Sequence, residues 1–321
     1  MATTLKPRPG VFETYWYFAA ERQAIFFRRL KGENPPYSRD LIFQRYKFCN
    51  SYRASDRVSQ FLIRSVIYGA TTDPLDTLFR IFLFRLLNRP ESWLELERRV
   101  GQVNLQTFAE GNYATILQEI KESGVLYGNA FILCANKAFG FDEKHRNHLA
   151  LLEHVFCKSG SGQALLKAPS LQELFTCLRQ LPLIGDFMAY QLAIDFNYSE
   201  VFSFDENDFT AAGPGALRGI NKCFEDTGGH DASYIIQWMC ENQAKEFQRQ
   251  GLGFQDLGGR ALHAIDCQGL FCETDKYCRV AFPDLQSNRV RIKTVFSPQP
   301  VPVAYFYPPK WGVNLEEYHK R

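Results

Sequence analysis

The chain has 321 residues, enough for one large domain or two modest ones with a sizeable core. Hydrophobic residues make up 45% and aromatics 15%, which excludes a disordered chain. The net charge is only +2, so any surface for nucleic acid has to come from local clustering of Lys and Arg. The opening stretch MATTLKPRPGVFETYWYF has no apolar run of signal-peptide type. No segment reaches the roughly 18 apolar residues of a membrane span. The nearest, 77–87, is interrupted by Arg80 and Arg85. Nine cysteines are scattered without framework spacing, which points to a reducing compartment. The expected location is intracellular: the nucleus in a eukaryote, the cytoplasm of the host cell for a phage or bacterial protein.

In chain order, residues 1–50 are aromatic and basic, with a break at Asn34-Pro35-Pro36. Ser55 reads as the cap of a helix carrying Val58, Phe61, Leu62 and Val66 inward. Asp73-Pro74 starts another, with Pro in the first turn where its missing N–H matters little, and Asn88-Arg89-Pro90 ends it. Helical periodicity continues at 91–100, 112–123, 145–157 and 170–180, the last opened by a capping box, Ser170-Leu171-Gln172-Glu173. A tight turn at 181–185 leads into a helix to about Asn197. A loop rich in Gly and Asp spans 203–219, and two longer helices follow at 231–249 and 258–281. From Pro283 the chain is Pro-rich, and Arg289-Val290-Arg291-Ile292-Lys293 alternates charge with apolar residues, as an extended arm does. The reading is all-α: a helical domain over 48–282, an aromatic and basic N-terminal segment, 1–47, packed on it, and an extended arm, 283–321.

Three constellations carry chemistry. The turn Leu181-Pro182-Leu183-Ile184-Gly185 between two helices presents backbone N–H groups outward, so Leu183 and Gly185 are candidates for holding a DNA phosphate. It is similar to the hairpin of the helix-hairpin-helix DNA glycosylases, with Leu183 in place of the first hairpin Gly and Phe187 in place of a Schiff-base Lys. Asp205 follows Gly185 by 205 − 185 = 20 residues, the spacing at which that superfamily carries its catalytic Asp. The second constellation is Phe204 to Gly219, where Asp205, Glu206 and Asp208 precede the turn Gly213-Pro214-Gly215 and Arg218 follows. Glycines admit a ligand close to the backbone, Arg218 offers a planar fork for a phosphate, and the carboxylates are potential bases. The third is 263–279. On a helix, His263, Asp266, Glu273 and Tyr277 fall within about 80° of one another. Such a stripe is a solvated face, or it is paired, or it faces a ligand. His145 and His148 lack a third ligand, the cysteines match no zinc or iron–sulfur spacing, and no metal or cofactor is expected. No Walker P-loop is present, which argues against a kinase.

These constellations, with Asn50-Ser51-Tyr52-Arg53-Ala54-Ser55-Asp56-Arg57 and the stretch 79–88, resemble the α-glutamyl/putrescinyl thymine pyrophosphorylases, or amino acid:DNA transferases. The resemblance runs from about Phe48 to Arg279, and its most specific parts are GPGALRG and LFCETDKYCR. That family's helical core is similar to the core of the DNA glycosylases and to the helical domain of 5-hydroxymethyluracil DNA kinases. The resemblance implies a DNA-glycosylase-like helical domain that joins an amine, an amino acid or a polyamine, to the methylene of a phosphorylated or pyrophosphorylated 5-hydroxymethyluracil and releases the phosphate. The implied partners are DNA containing the modified thymine, the amine donor and a 5-hydroxymethyluracil DNA kinase; no membrane is involved.

The target base has to leave the stack, the departing phosphate needs cations and N–H groups, and the amine needs a base. Arg53, Arg57, Gly213, Gly215, Arg218 and Lys276 are the candidates for the phosphate. Asp205, Asp208, Asp266 and Glu273 are the candidate catalytic carboxylates. His263, Tyr277 and Asp56 are candidates for the base or amine pocket. Arg289, Arg291 and Lys293 join Leu183 and Gly185 as DNA-backbone contacts. Two other readings stay open: a monofunctional glycosylase acting on a modified base, and a non-catalytic DNA-binding module.

Overall fold

The computed structural model describes residues 4–70, 73–130, 137–285, 288–289, 291–292, 294–297 and 304–315, and it is all-α. Among these residues are fourteen α-helices: α1 (Val11–Leu30), α2 (Leu41–Arg45), α3 (Arg57–Phe61), α4 (Pro74–Leu87), α5 (Pro90–Val100), α6 (Leu105–Glu110), α7 (Tyr113–Ser123), α8 (Lys144–Glu153), α9 (Ser161–Leu166), α10 (Leu171–Arg179), α11 (Asp186–Asn197), α12 (Pro214–Cys223), α13 (Ala232–Arg249) and α14 (Ala264–Ala281). A two-stranded antiparallel ribbon joins β1 (Lys6–Pro7) to β2 (Phe224–Asp226). The chain divides into two compact units, one of residues 1–56 with 209–321, the other of residues 57–208. The expected N-terminal segment and the C-terminal arm both fall in the first.

The second unit is organised on α4. Asp73 caps it through the N–H of Asp76, Pro74 occupies the first turn, and Asn88 ends it in the left-handed conformation, φ +49°. Its residues from Thr77 to Leu87 are all buried, Arg80 and Arg85 included. Neither arginine is left to the apolar interior alone. Arg80 donates to the carbonyls of Val66 and Val103 at 3.0 and 2.7 Å and lies over the Trp93 ring. The Val66 carbonyl belongs to a π-helical turn, Leu62–Ile67, that continues α3. Arg85 pairs with Asp195 of α11 at 2.6 Å, both side chains out of solvent, and also donates to Asn88. Between α10 and α11, Leu183 sits at φ +69°. That is the position where the glycosylase pattern has Gly, so the backbone keeps a glycine conformation at a residue for which it costs roughly 1–2 kcal/mol.

In the first unit, α1 carries Phe12, Tyr15, Trp16, Phe18 and Phe26 into the core and packs on α14. The sequence reading assigned no helix here. α13 also packs on α14, and Gln243 holds the turn before it by exchanging two hydrogen bonds with the backbone of Leu262. α12 lies closest to α14. A Cβ on Gly219 would stand 2.1 Å from the carbonyl oxygen of Phe271, and one on Gly215 would stand 2.7 Å from Cys272 Sγ. Glycines four apart on one face of α12 therefore let the two backbones approach. The loop expected over 203–219 ends at Gly213, and the expected helix 258–281 starts only after His263. Among the described residues beyond Ala281 no α-helix follows: a turn at 283–284 and a short helical turn at Pro309–Trp311 interrupt irregular chain, and Val295 bridges to Tyr46. No helix among the described residues is long and apolar enough to cross a membrane.

Two stability predictions follow from these contacts. Asp195→Ala leaves a buried guanidinium without its carboxylate and should lose about 3–5 kcal/mol in urea unfolding, whereas Arg85→Met with Asp195→Leu should recover most of that loss. Equal losses in the single and double variants would show that the pair does not act as a unit. Gly219→Ala should lose about 1–3 kcal/mol because a backbone oxygen cannot yield to the new methyl. Gly269→Ala, in the same packed pair of helices but with open space at its Cβ position, should instead gain about 0.5–1 kcal/mol.

Candidate functional site

Helix α14 bears the polar stripe expected from its spacing, and in the structure each member is paired. Asp266 accepts the backbone N–H of Arg53 at 2.8 Å and of His263 at 3.1 Å, so one carboxylate fixes the 53–55 turn and caps its own helix. His263 is that N-cap residue, its ring Nδ1 3.0 Å from the carbonyl of Ala261. Glu273 accepts the N–H of Cys49 at 2.9 Å and the ammonium of Lys276 at 3.1 Å. Lys276 also donates to the carbonyl of Lys47 and lies 4.7 Å over the Phe48 ring. Tyr277 donates to Asp40 at 2.6 Å, and burial, with Asp40 next, pushes its phenol pKa up. Asp40 also accepts from Tyr17 and caps α2. The segment 40–56 is thereby strapped along α14, with Arg53, Asp56, Asp266, Glu273, Lys276 and Tyr277 in one region.

The opposite side of α14 meets the GPGALRG segment. Asp275 is fully buried and receives three cations: Arg279 at 2.7 Å, Lys222 at 3.0 Å and Arg218 at 3.2 Å. Burial works to raise its pKa, but Arg279 and Lys222 outweigh that and hold the carboxyl below the usual range. Gly213 is the N-cap of α12, and Gly215 serves the close approach to Cys272. The two most specific motifs of the sequence are thus the two sides of one helix contact.

A cluster of titratable groups lies where α1, the 49–56 loop and α14 meet. Cys49 is exposed and Asp56 half-buried, yet enough protein surrounds them that burial raises the pKa of both, that of Asp56 to about 6. Asn50 donates its backbone and side-chain N–H groups to Oδ1 of Asp56 at 2.8 and 3.1 Å. Arg22 of α1 faces Asp56 and is itself buried, which pulls its pKa down. Tyr305 of the arm stands against Phe26 at 4.7 Å and within the field of Arg29, Arg22 and Asp56. Tyr307 shares a 2.8 Å hydrogen bond with Ser55. Sequence reasoning missed Arg22, Cys49, Asn50 and Tyr305. Arg22 left a signal, since it falls on the same helical stripe as Tyr15, Ala19 and Phe26, where a charged residue needs a reason.

The remaining candidates lie elsewhere. Arg57, Leu183, Gly185, Asp205 and Asp208 belong to the second unit. Arg57 is exposed and 3.7 Å from Glu91. Gly185 is the N-cap of α11. Asp205 and Asp208 are exposed, and Asp205 accepts the N–H of Asn207 at 2.9 Å. Arg289 and Arg291 are exposed, and the Arg291 carbonyl accepts from Arg279 at 3.1 Å. Lys293 lies outside the described residues.

The chain was compared with known families, curated proteins and solved structures. The family model of the 5-hmdU DNA kinase helical domain matches residues 9–287. The 5-hmdU DNA kinase of Bacillus phage SP10 is 27% identical over 299 residues, which cover 85% of this chain and 46% of that protein. The chain thus spans about half the length of the curated relative it matches. No solved structure matches it. These findings overturn two expectations. Amine transfer to a phosphorylated base, with its amine donor, and base excision by a glycosylase both give way to a kinase family. The missing P-loop, read above against a kinase, does not weigh against this family, because the model describes the kinases' helical domain. The match covers most of the chain, which therefore belongs to the 5-hmdU DNA kinase helical-domain family and not to the thymine pyrophosphorylases its motifs resemble.

Proposed function

We propose that this chain recognises 5-hydroxymethyluracil in DNA and presents its hydroxymethyl group for phosphorylation. The observation that carries the reading is the family membership. In the reaction, the hydroxymethyl oxygen forms a bond to the terminal phosphorus of a nucleoside triphosphate, the bond to the bridging oxygen breaks, and the hydroxyl proton is lost. The protein's part in such a reaction is positioning and charge stabilisation. The 321 residues carry no Gly-x-x-x-x-Gly-Lys-Ser/Thr cradle for a triphosphate. The role proposed is therefore on the acceptor side, holding a base turned out of the helix. The strapped region of α14 suits that role. Its groups are fixed by packing before the substrate arrives, and Lys276 and Arg53 offer cations for phosphates of the DNA or of the donor. Asp56, Asp266 and Glu273 are the carboxylates at hand for the hydroxyl proton.

The test is equilibrium binding to matched duplexes that differ only in one 5-hydroxymethyluracil or thymine, together with phosphate incorporation from a labelled nucleoside triphosphate. One added hydrogen bond to the hydroxymethyl oxygen is worth about two- to tenfold in affinity, so the modified duplex should bind at least a few-fold more tightly. Equal affinity for both duplexes, with no phosphate entering either, overturns the proposal.

A further inference from the structure

Two segments far apart in sequence meet on the surface of the first unit. Lys47 donates its backbone N–H to the Thr294 carbonyl and Phe296 donates to the Arg45 carbonyl, each at 3.0 Å, with Tyr46 and Val295 opposite each other between them. Both segments are tied to α14. Lys276 donates to the Lys47 carbonyl, and Arg279 donates to the Arg291 carbonyl at 3.1 Å. Neither 41–49 nor 285–297 contains an acidic residue, and together they hold Arg45, Lys47, Arg289, Arg291 and Lys293. Five positive charges therefore fall in two short segments of a chain whose net charge is +2. The nearest acids before them are Asp40, which Tyr17 and Tyr277 engage, and Asp284. Arg45, Lys47, Arg289 and Arg291 are exposed, and among the described residues no carboxylate pairs with Arg45, Lys47 or Arg291. Exposed arginines elsewhere are answered locally, Arg98 by Glu95 and Arg249 by Glu246. The surface is not charged alone: Val295 is 66% exposed, and the Arg45 guanidinium lies over the half-exposed Tyr46 ring at 5.3 Å.

We infer that this paired surface, with Arg45, Lys47 and Arg291 as its cations, holds the phosphodiester backbone of the DNA strand that carries the target base. A phosphate is bound by cations that have no carboxylate of their own, since a paired cation has already given up its counterion to the protein. The exposed Val295 and the Tyr46 ring suit the apolar sugars and base faces that lie between the phosphates of a strand. The place of the surface fits the proposed role. Lys47 is two residues before Cys49, whose N–H Glu273 holds, so a strand lying along the pairing passes beside the strapped face of α14. The inference rests on the reading of the chain as a binder of 5-hydroxymethyluracil in DNA. It names the surface that bears the strand and not the group that reads the base. Phosphate contacts fix position without selecting sequence, so this surface contributes equally to modified and unmodified DNA.

The experiment measures affinity for matched duplexes carrying one 5-hydroxymethyluracil or thymine across a series of salt concentrations. It uses the wild type, Arg45→Gln, Lys47→Gln, Arg291→Gln and the triple variant. Lys245→Gln, which removes an exposed cation of α13, is the control for loss of charge alone. Each single variant should lose about two- to fivefold in affinity at low salt. The slope of log affinity against log salt should fall by about 0.9 for each cation removed. Both duplexes should lose equally, and Lys245→Gln should change neither quantity. A triple variant that is folded by circular dichroism and keeps wild-type affinity and slope overturns the inference and leaves the functional reading standing. An equal loss in Lys245→Gln overturns it as well, because affinity would then follow net charge. So does a loss confined to the modified duplex, because the cations would then be reading the base. Equal wild-type binding of both duplexes, dependent on the three cations, upholds the surface and counts against recognition of the hydroxymethyl group. Vesicles of equimolar phosphatidylcholine and phosphatidylglycerol supply a competing anionic partner. Binding to them that needs the three cations, with no binding to either duplex, overturns the inference in favour of a membrane surface.

Discussion

The first unit depends on one constraint: α14 carries its charges inward. An apolar helix could slide or rotate against its neighbours with little change in energy, whereas buried carboxylates are tolerated only where their partners stand. Asp266 requires the 53–55 turn, Glu273 the amide of Cys49, and Asp275 the cations of α12 and of α14's own last turn. Tyr277 requires Asp40. Four side chains on one helix thereby fix the register of a loop, a short helix and a long one. The strapped face of α14 is held by interactions that do not involve a ligand, which is what a site needs if it is to be formed before binding.

Local signals in the sequence located much of the helical framework. Asp73, with Pro74 in the first turn, caps α4 as read, and Ser170 caps α10 through the Glu173 N–H, without the return contact from the Glu173 side chain that a capping box has. The polar stripe of α14 followed from spacing, but that it is paired inside the protein did not, since spacing fits a solvated face equally well. What failed had physical reasons. α1 starts at Gly10 with φ +79°, and its first turn is closed by Glu13 reaching back to the Gly10 N–H, so no Ser, Thr or Asp marks the start. Its aromatics also cover so much of its surface that the periodicity is blurred. The loop read over 203–219 ends early because Gly213-Pro214-Gly215 is a helix start, with Pro in the first turn. Glycine in such a turn invites a phosphate reading, but Gly215 and Gly219 are required by the backbone and side chains of another helix. That partner is 52 residues further along the chain for Gly219 and Phe271, a relation that no local pattern displays.

In the second unit, Arg80 and Arg85 show the same principle in an apolar setting. They break what would otherwise be a continuous apolar run, and the run is buried nonetheless. Arg80 can be internal because a π-helical turn and the 103 carbonyl leave acceptors within reach, and Arg85 because Asp195 sits on the facing helix. A charge within an apolar helix thus reads as a demand for a specific partner. Applied to α1, the same demand at Arg22 is met only in part, by the field of Asp56.

The same demand for partners explains why the motifs pointed to a related helical core and to the wrong reaction. GPGALRG and LFCETDKYCR are the two sides of a short-range helix contact around a buried carboxylate, a requirement of packing and not of a particular chemistry. Recognition through such segments reports the scaffold, and a scaffold hosts more than one activity. In this chain Asp266, Glu273, Asp275 and Tyr277 are engaged by the protein itself, so what these segments report is the register of α14 and not the chemistry of a site. Ser51 ties the 49–56 loop to the Ala19 carbonyl of α1 while Asp266 ties the same loop to α14, so the loop's place is set by contacts that carry no information about the reaction.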